Sequence, residues 1–230
     1  IAASAAAFVV LSLICGLTVA LWQYRNAERE RMKAEAVNDF LEKMLSASNP
    51  NAKVAGKQGR DVTIADLLDE ISKQIETEDL ATTPEVKADL QRIIGTSYLT
   101  IGKYDLADRH LREALTAQNQ IYGENSPETL KTLVALGALA VSRADYGEAE
   151  NIYRQRLDIL RREYASGNID GGYLLLALND FAILRRARGN SKEAETLFRE
   201  ALSLAPHIDE RNKNRIGQIS ASLTLTLADQ

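Results

Sequence analysis

Small and large apolar residues alternate along this chain at the spacing of amphipathic helices, and the pattern returns at a nearly constant interval. Gly95, Gly137, Ala182 and Thr224 occupy the same position in four successive segments, at separations of 42, 45 and 42 residues. Small residues at such positions let two helix backbones approach closely, while large apolar residues fill the space around them. A fixed period of this length predicts a solenoid of helical hairpins.

Three units share the positions that are predicted to pack within the hairpins. They are Gly95, Tyr98, Ala107 and Ala114 in the first unit, Gly137, Tyr146 and Ala149 in the second, and Ala182, Gly189, Ala194, Ala201 and Pro206 in the third. Two residues depart from the pattern: Arg156 stands where it predicts a small residue, and Arg185 where it predicts an aromatic one. An unrelated helical bundle is the alternative interpretation.

These residues resemble the tetratricopeptide repeat, whose unit is roughly 34 residues long. The longer interval here resembles the kinesin-light-chain-like variety, which has extended hairpins. The resemblance implies an all-α, right-handed helical solenoid over residues 83–230, with about three complete hairpins and a truncated fourth. Residues Asn212–Gln230 have the apolar pattern of a first helix, so we expect the partner helix beyond Gln230.

The start of the chain is uncharged and largely apolar, with Ser4, Ser12 and Thr18 as its only hydroxyl-bearing residues. Residues 1–22 carry no charge, and a helix of this length spans roughly 33 Å, enough for a bilayer core. Trp22 and Tyr24 follow at the expected interfacial level. The pattern predicts a transmembrane helix over residues 1–23. A signal peptide is the alternative, but it requires a basic start and a shorter apolar stretch.

Residues 24–82 are predicted to form a helical, juxtamembrane connector. A first helix over Asn26–Ser46 and a second one beginning after Thr63 each carry an apolar stripe. The second helix has Thr63 followed by Asp66, which is typical of an N-terminal cap. Residues 46–61 form the loop between them, and Thr83 with Pro84 opens the first repeat.

The order of these segments resembles bacterial receptor-type serine/threonine protein kinases that carry C-terminal tetratricopeptide repeats. The resemblance is carried by Glu35–Leu41 (EAVNDFL), Gly59–Thr63 (GRDVT) and Leu67–Asp69 (LLD), between the uncharged span and the repeats. It implies a kinase domain before the span. None of the kinase signatures, such as the glycine-rich loop or the catalytic Asp motif, occurs in this chain. We therefore expect no enzymatic activity and no cofactor in this chain. ATP and Mg²⁺ would bind the full-length protein only if a kinase domain lies upstream.

Composition and charge narrow the choice of partner. Lys and Arg number 28 against 32 Asp and Glu, for a net charge of −4, which gives no case for nucleic-acid binding. Cys15 is the only cysteine, and the two histidines, His110 and His207, lie far apart in the sequence. No metal site and no catalytic constellation is predicted from these residues. The partner is therefore expected to be a protein or a peptide.

The first helix of each hairpin is predicted to line a concave groove for that peptide. Helical projection gives Arg92, Thr96 and Leu99 from the first unit, Lys131, Val134 and Ala138 from the second, and Asn179, Ile183 and Arg186 from the third. The basic residues are suited to carboxylates, and Asn179 to a peptide backbone. The alternative interpretation is that these basic residues only keep the surface solvated and contact no partner.

Two classes of function are left open. The first is a protein–protein interaction scaffold that serves as the membrane anchor and the sensor or docking region of a serine/threonine kinase. The second is a membrane-tethered repeat protein without a kinase domain, which holds an assembly or acts like a chaperone. A repeat-bearing cyclase or regulator is a related option, and a homodimer through the incomplete end of the solenoid is allowed for.

Membrane orientation is predicted from two opposing signals. Arg25, Arg29 and Arg31 follow the span and favour a cytoplasmic location for the repeats. The kinase resemblance implies the reverse, because a domain that uses ATP must lie in the cytoplasm. We therefore expect a single-pass protein of the bacterial inner membrane, with lipid contact through residues 1–23 and with extracytoplasmic repeats.

Overall fold

The structure of this protein is a computed structural model that describes only part of the chain. The described residues are 15–21, 23–28, 30–32, 34–35, 37–39, 42, 53–54, 57–58, 61–77, 83–208 and 213–228. The chain divides into two units, Ile1–Leu90 and Gln91–Gln230.

The first unit contains helical residues and one small pair of strands. The described residues between 15 and 42 are helical and mostly exposed. Strands β1 (Lys53–Val54) and β2 (Lys57–Gln58) pair antiparallel, so the loop predicted for residues 46–61 contains regular structure. Helix α1 (Ile64–Glu76) follows. Its N-terminus has the predicted cap, since the Asp66 amide donates to the Thr63 hydroxyl over 3.1 Å and the Thr63 amide donates back to the Asp66 carboxylate over 2.9 Å.

The structure contradicts the predicted membrane localisation. Residues 15–21 are helical; residues 1–14 and 22 lie outside the described part of the chain. Within the described residues, no helix combines the length and the apolar character needed to cross a membrane. The prediction of a single-pass inner-membrane protein with extracytoplasmic repeats is therefore wrong.

The second unit is built from consecutive helices. Helix α2 (Pro84–Thr100) enters it and is followed by α3 (Tyr104–Tyr122), α4 (Pro127–Ser142), α5 (Tyr146–Ala165), α6 (Gly171–Ala187), α7 (Ser191–Ser203), a 3₁₀ turn (Ala205–His207) and α8 (Lys213–Ala228). Each helix from α3 to α8 packs against the next, and α8 also contacts α6. One apolar core runs through α4 to α8.

Local chemistry explains where these helices begin. Pro84 and Pro127 each stand at the first position of a helix, where no amide hydrogen is needed. Ser126 caps α4 by accepting a hydrogen bond from the Thr129 amide over 3.1 Å. Asp170 caps α6 by accepting one from the Gly172 amide over 2.7 Å. The starts of the helices are thus encoded within a few residues of each boundary.

The turn inside each hairpin requires a left-handed backbone at one position. Gly102, Ala144 and Gly189 occupy this position in the three hairpins, with φ angles of 77°, 59° and 77°. Gly189 is exposed, so its place in the fold depends on its backbone conformation and not on the packing role predicted for it. Ala144 has a Cβ in a conformation that favours glycine.

Most of the predicted packing positions lie in the core. The set comprises Tyr98, at 1% exposure, and the fully buried Ala107, Ala114, Ala149, Ala182, Ala194 and Ala201. A Cβ on Gly95 would lie 2.7 Å from Leu111 Cγ, and one on Gly137 only 2.2 Å from the Tyr153 ring. Tyr146 and Pro206 are instead exposed, because they lie at the start of α5 and in the 3₁₀ turn, outside the packed helix faces.

Ion pairs connect one hairpin with the next at separations close to the repeat period. Arg112 pairs with Glu148, Arg143 with Asp105 and Arg161 with Glu200. Glu150 accepts hydrogen bonds from Arg154, Arg185 and Arg188 over 2.8, 2.7 and 2.7 Å. Arg185, which replaces an aromatic residue of the pattern, also lies over the Phe181 ring at 5.9 Å.

Candidate binding pocket between two repeats

The second unit encloses a pocket bounded by α4, α5, α6 and the first turn of α8. Its volume is about 710 Å³, within the range of protein sites that hold a small ligand or a large side chain. The lining residues are Asn125, Pro127, Leu130, Lys131, Val134, Arg156, Leu160, Glu163, Asn168, Ile169, Asp170, Tyr173, Leu176, Asp180 and Arg215.

The floor and walls of the pocket are largely apolar. Leu130 and Leu160 are buried, and Val134 and Leu176 are half-buried with part of their surface open to the pocket. Tyr173 is 52% exposed at the rim. A partner side chain that enters would therefore remove apolar surface from water on both sides of the contact.

Arg156 is the unusual member of the pocket, because it is a charged residue at a core position. The equivalent positions in the neighbouring hairpins are Ala114 and Ala201, both at 0% exposure, and Arg156 itself is only 6% exposed. Its Nη1 donates a 2.7 Å hydrogen bond to Asp180 on α6. Its Nε is buried without a hydrogen-bond partner. Asp180 thus compensates this buried charge, but the donors of the guanidinium are not all used.

The electrostatic effect of this ion pair reaches Tyr153, whose ring packs against Gly137. Burial raises the pKa of Tyr153 to about 12, the negative charge of Asp180 acts in the same direction, and Arg156 opposes it. The Tyr153 hydroxyl, which is protonated at neutral pH even at its ordinary pKa, therefore keeps its proton to a more alkaline pH.

The charged groups at the mouth of the pocket are not equally engaged. Glu163 accepts hydrogen bonds from the side chains of Asn125 and Asn168 over 2.7 and 2.8 Å, and Asp170 caps α6. Lys131 and Arg215 are exposed, and neither forms an ion pair with any residue that the structure describes. Lys131 and Arg215 are therefore the charged groups at the mouth without an ion pair among the described residues, while Glu163 and Asp170 keep their negative charge.

Comparison with known proteins identifies the repeats. The tetratricopeptide repeat family model matches residues 87–162. This part of the chain is a tetratricopeptide-repeat region. A TPR repeat-containing protein of Dictyostelium discoideum is 30% identical over 117 residues, which is 51% of this chain and 7% of that protein. The match thus takes up only a small part of the relative's length.

Solved structures show the same fold at low sequence identity. BtubC (BKLC) from P. vanneervenii aligns with a TM-score of 0.53 and 19% identity, over 61% of this chain and 56% of the other. The kinesin light chain-like protein of Podosopora anserina, which has nearly identical TPR-like repeats, aligns with a TM-score of 0.52 and 13% identity, over 72% and 82%. The prediction of a kinesin light chain-like tetratricopeptide-repeat solenoid is confirmed. The kinase relationship and the membrane anchor are not shown.

Only part of the predicted groove lies in this pocket. Lys131 and Val134 line it. Asn179, Ile183 and Arg186 lie on α6 outside the lining, with Ile183 49% exposed. The residues on α2 also lie outside it: Arg92 and Leu99 are half-buried, and Thr96 is exposed with its hydroxyl donating to the Arg92 carbonyl.

Sequence reasoning missed the residues that give the pocket its polar character. Arg156 was noted only as a departure from the repeat, although a charge at a core position is itself a signal of a polar partner nearby. Asp180 lies next to the predicted Asn179 but was not selected. Arg215 lies on α8, in the fourth segment, outside the three units from which the groove is predicted.

Proposed function

We propose that this chain is a protein-interaction module that holds a segment of a partner protein in the pocket between α4 and α6. Tetratricopeptide repeats generally act as protein–protein interaction scaffolds, and stacked helical repeats present extended binding surfaces. The observation that carries the proposal is the apolar pocket of about 710 Å³ with Lys131 and Arg215 exposed at its mouth.

The pocket's size favours a side chain or a short segment over a flat protein surface. An apolar lining supplies affinity through burial, while a few polar groups set orientation. Lys131 and Arg215 are suited to that second role, because their donors are free of ion pairs with the described residues. The partner segment is therefore apolar where it enters and carries hydrogen-bond acceptors at its edges.

A docking role within a serine/threonine kinase is a proposal about a longer protein. Its support is the sequence resemblance around Glu35–Leu41 and Gly59–Thr63. The chain itself is proposed to have no enzymatic activity and no cofactor. Kinase signature motifs in the reading frame upstream of Ile1 would support this role, and a different domain there would overturn it.

Self-association is a separate proposal. Leu225 and Leu227 on α8 are 56% and 44% exposed, and apolar surface of this kind favours a homodimer through that helix. Sedimentation velocity over a concentration series tests it. A monomer at every concentration would exclude the homodimer.

The peptide-binding role is tested by selection from a phage-displayed library of random dodecapeptides against the whole chain. We expect a consensus with at least one large apolar position. Val134→Arg, which puts a charge into the pocket wall, should weaken binding of a consensus peptide about tenfold or more. Val141→Arg is the matched control, because Val141 lies on the same helix, is 38% exposed and does not line the pocket.

Two outcomes would overturn the proposal: no consensus emerges, or Val134→Arg binds the selected peptide as tightly as the unmodified chain does. Circular dichroism establishes that both variants are folded. If Val134→Arg does not fold, Tyr173→Ala provides the same test, because Tyr173 lies at the exposed rim where a truncation is tolerated.

A further inference from the structure

Helix α8 exposes a face that the first helices of the preceding hairpins bury. The residues on this face have the same spacing in α4 and α6; they are Leu130, Leu133, Gly137 and Ala140 in α4, and Leu175, Leu178, Ala182 and Arg185 in α6. All of them are buried except Arg185, whose side chain is 13% exposed. The corresponding residues of α8 are Gly217, Ser220, Thr224 and Leu227, and all four are exposed.

Within a complete hairpin, this face is covered by the second helix. A Cβ on Gly95 would lie 2.7 Å from Leu111 Cγ on α3, and one on Gly137 would lie 2.2 Å from the Tyr153 ring on α5. In both hairpins a residue without a side chain thus meets a large one on the opposite helix. The face is therefore suited to a helix that places a large side chain over a small residue.

Gly217 indicates that α8 takes part in a similar contact. It lies inside the helix, where glycine is a poor helix former. A Cβ added there would meet no atom within 4 Å, so no contact among the described residues uses the missing side chain. The Thr224 hydroxyl on the same face donates to the Ser220 carbonyl over 3.0 Å, and it can therefore be buried without losing its hydrogen bond.

The exposed face of α8 is complementary to a second copy of itself. When two α8 helices lie antiparallel about a two-fold axis level with Ser222, Leu227 of each copy lies opposite Gly217 of the other. Ser220 lies opposite Thr224 in the same register. Small residues opposite each other let the two backbones approach closely, and Leu227, which is 44% exposed, then fills the space over the glycine.

We propose that this face of α8 is the contact surface of a homodimer, in which two α8 helices pair antiparallel with Leu227 of one copy over Gly217 of the other. The inference rests on the self-association proposed above, names its surface and register, and does not depend on the pocket. It also distinguishes Leu227 from Leu225. Residues two apart in a helix point about 200° away from each other, so Leu225 lies outside this contact although it is 56% exposed.

Disulfide cross-linking tests the register. Cys15, the only cysteine, is replaced by Cys15→Ser, and Gly217→Cys and Leu227→Cys are introduced together before oxidation with copper phenanthroline. We expect a covalent dimer as the main product, because the two positions face each other across the contact. Either substitution alone places the two new thiols about 15 Å apart along the helix axes, beyond the reach of a disulfide, and should give little dimer.

The matched control is the pair Gln218→Cys, Leu225→Cys. Both positions are exposed, and they lie on the side of α8 that is turned away from the proposed contact. This pair should form no more covalent dimer than the single variants do. Cross-linking mainly through the control pair would overturn the proposed face and leave self-association through α8 in place.

A second measurement separates this contact from general apolar association. Gly217→Leu fills the space that Leu227 of the second copy occupies, whereas in the single chain the space around Gly217 is open. We expect this variant to raise the dissociation constant of the dimer about tenfold or more in sedimentation velocity. Gln218→Leu adds a leucine at the next exposed position and should not raise the dissociation constant.

The outcomes distinguish the proposed face from self-association itself. Equal or tighter association of Gly217→Leu would overturn the face and leave a homodimer through another part of the chain. A monomer at every concentration would overturn the homodimer as well, and would leave the face to a helix of a different protein. Peptide binding in the pocket is measured independently of both outcomes, so that function is judged by its own experiment.

Discussion

Ala144 occupies the turn position that is glycine in the other two hairpins. Its φ of 59° lies in the left-handed region, which costs an L-residue roughly 1–2 kcal/mol. Glycine avoids this cost but loses about 0.5–1 kcal/mol through the greater freedom of its unfolded state. We therefore expect Ala144→Gly to raise the free energy of unfolding by about 0.5–1 kcal/mol in urea denaturation.

The reverse substitution in the third hairpin checks the sign of this effect. Gly189→Ala, at a φ of 77°, should lower the free energy of unfolding by about 1 kcal/mol. Gly217→Ala is the control, because Gly217 lies inside α8 with no atom within 4 Å of the added Cβ. It should stabilise the helix instead. A loss of stability in Ala144→Gly would contradict the strain argument.

The residue types in the sequence predict the tightly packed glycine positions but not the buried ion pair. The repeat pattern marked Gly95 and Gly137 as sites of close helix approach, and at both a Cβ would collide with a neighbouring side chain. The same pattern marked Arg156 only as an exception. Its partner Asp180 is 24 residues away on another helix, so no local periodicity could pair the two.

Glu150 connects elements that are distant in the sequence, since it lies on α5 and binds Arg185 of α6 and Arg188, the residue that follows that helix. Its side chain is 19% exposed and that of Arg185 13%. Removing the carboxylate leaves Arg185 with Glu193 as its remaining ion-pair partner among the described residues. We expect Glu150→Gln to lower the free energy of unfolding by about 1–2 kcal/mol, between the effects of exposed and buried pairs.

Arg154→Gln is the matched control for this prediction. Arg154 is the exposed partner of Glu150 within α5, with 58% of its side chain accessible, and a pair of this kind contributes about 0.3–0.5 kcal/mol. Both variants are compared with the unmodified chain by urea denaturation. Equal effects would mean that the contacts of Glu150 with α6 contribute nothing to the packing of the two hairpins.

The boundaries of the helices were largely predictable, because capping depends on residues next to one another. Thr63 with Asp66 and Thr83 with Pro84 were expected at helix starts and are found there. The strand pair at Lys53–Val54 and Lys57–Gln58 was not expected. The long apolar run at the start of the chain led to the wrong localisation, because hydropathy alone does not establish a spanning helix.

For the molecule as a whole, stability should vary along the stack of repeats. Helix α6 contacts both α5 and α7 and has buried residues along its length, whereas α8 packs against α7 and α6 and leaves Leu225 and Leu227 exposed. Repeat proteins derive their stability from contacts between neighbours, so an outer helix opens more readily than an inner one.

Hydrogen exchange measured by mass spectrometry on the whole chain tests this gradient. We expect amides of residues 171–187 to exchange about tenfold or more slowly than those of residues 213–228. The amides of the two stacked hairpins, α4 with α5 and α6 with α7, should likewise exchange slowly, because each hairpin packs against the other. Equal protection of α6 and α8 would indicate that the repeats unfold as one cooperative unit with no weaker end.

The helical hairpins, their period and their similarity to tetratricopeptide repeats can be predicted from the amino-acid pattern, because these features depend on spacing within a few helical turns. The position of the pocket and the charged residues that line it become visible only in the folded chain. Lys131, Arg156, Asp180 and Arg215 come from four different helices. Their proximity follows from how one repeat stacks on the next, and that packing geometry has no signature in the local pattern.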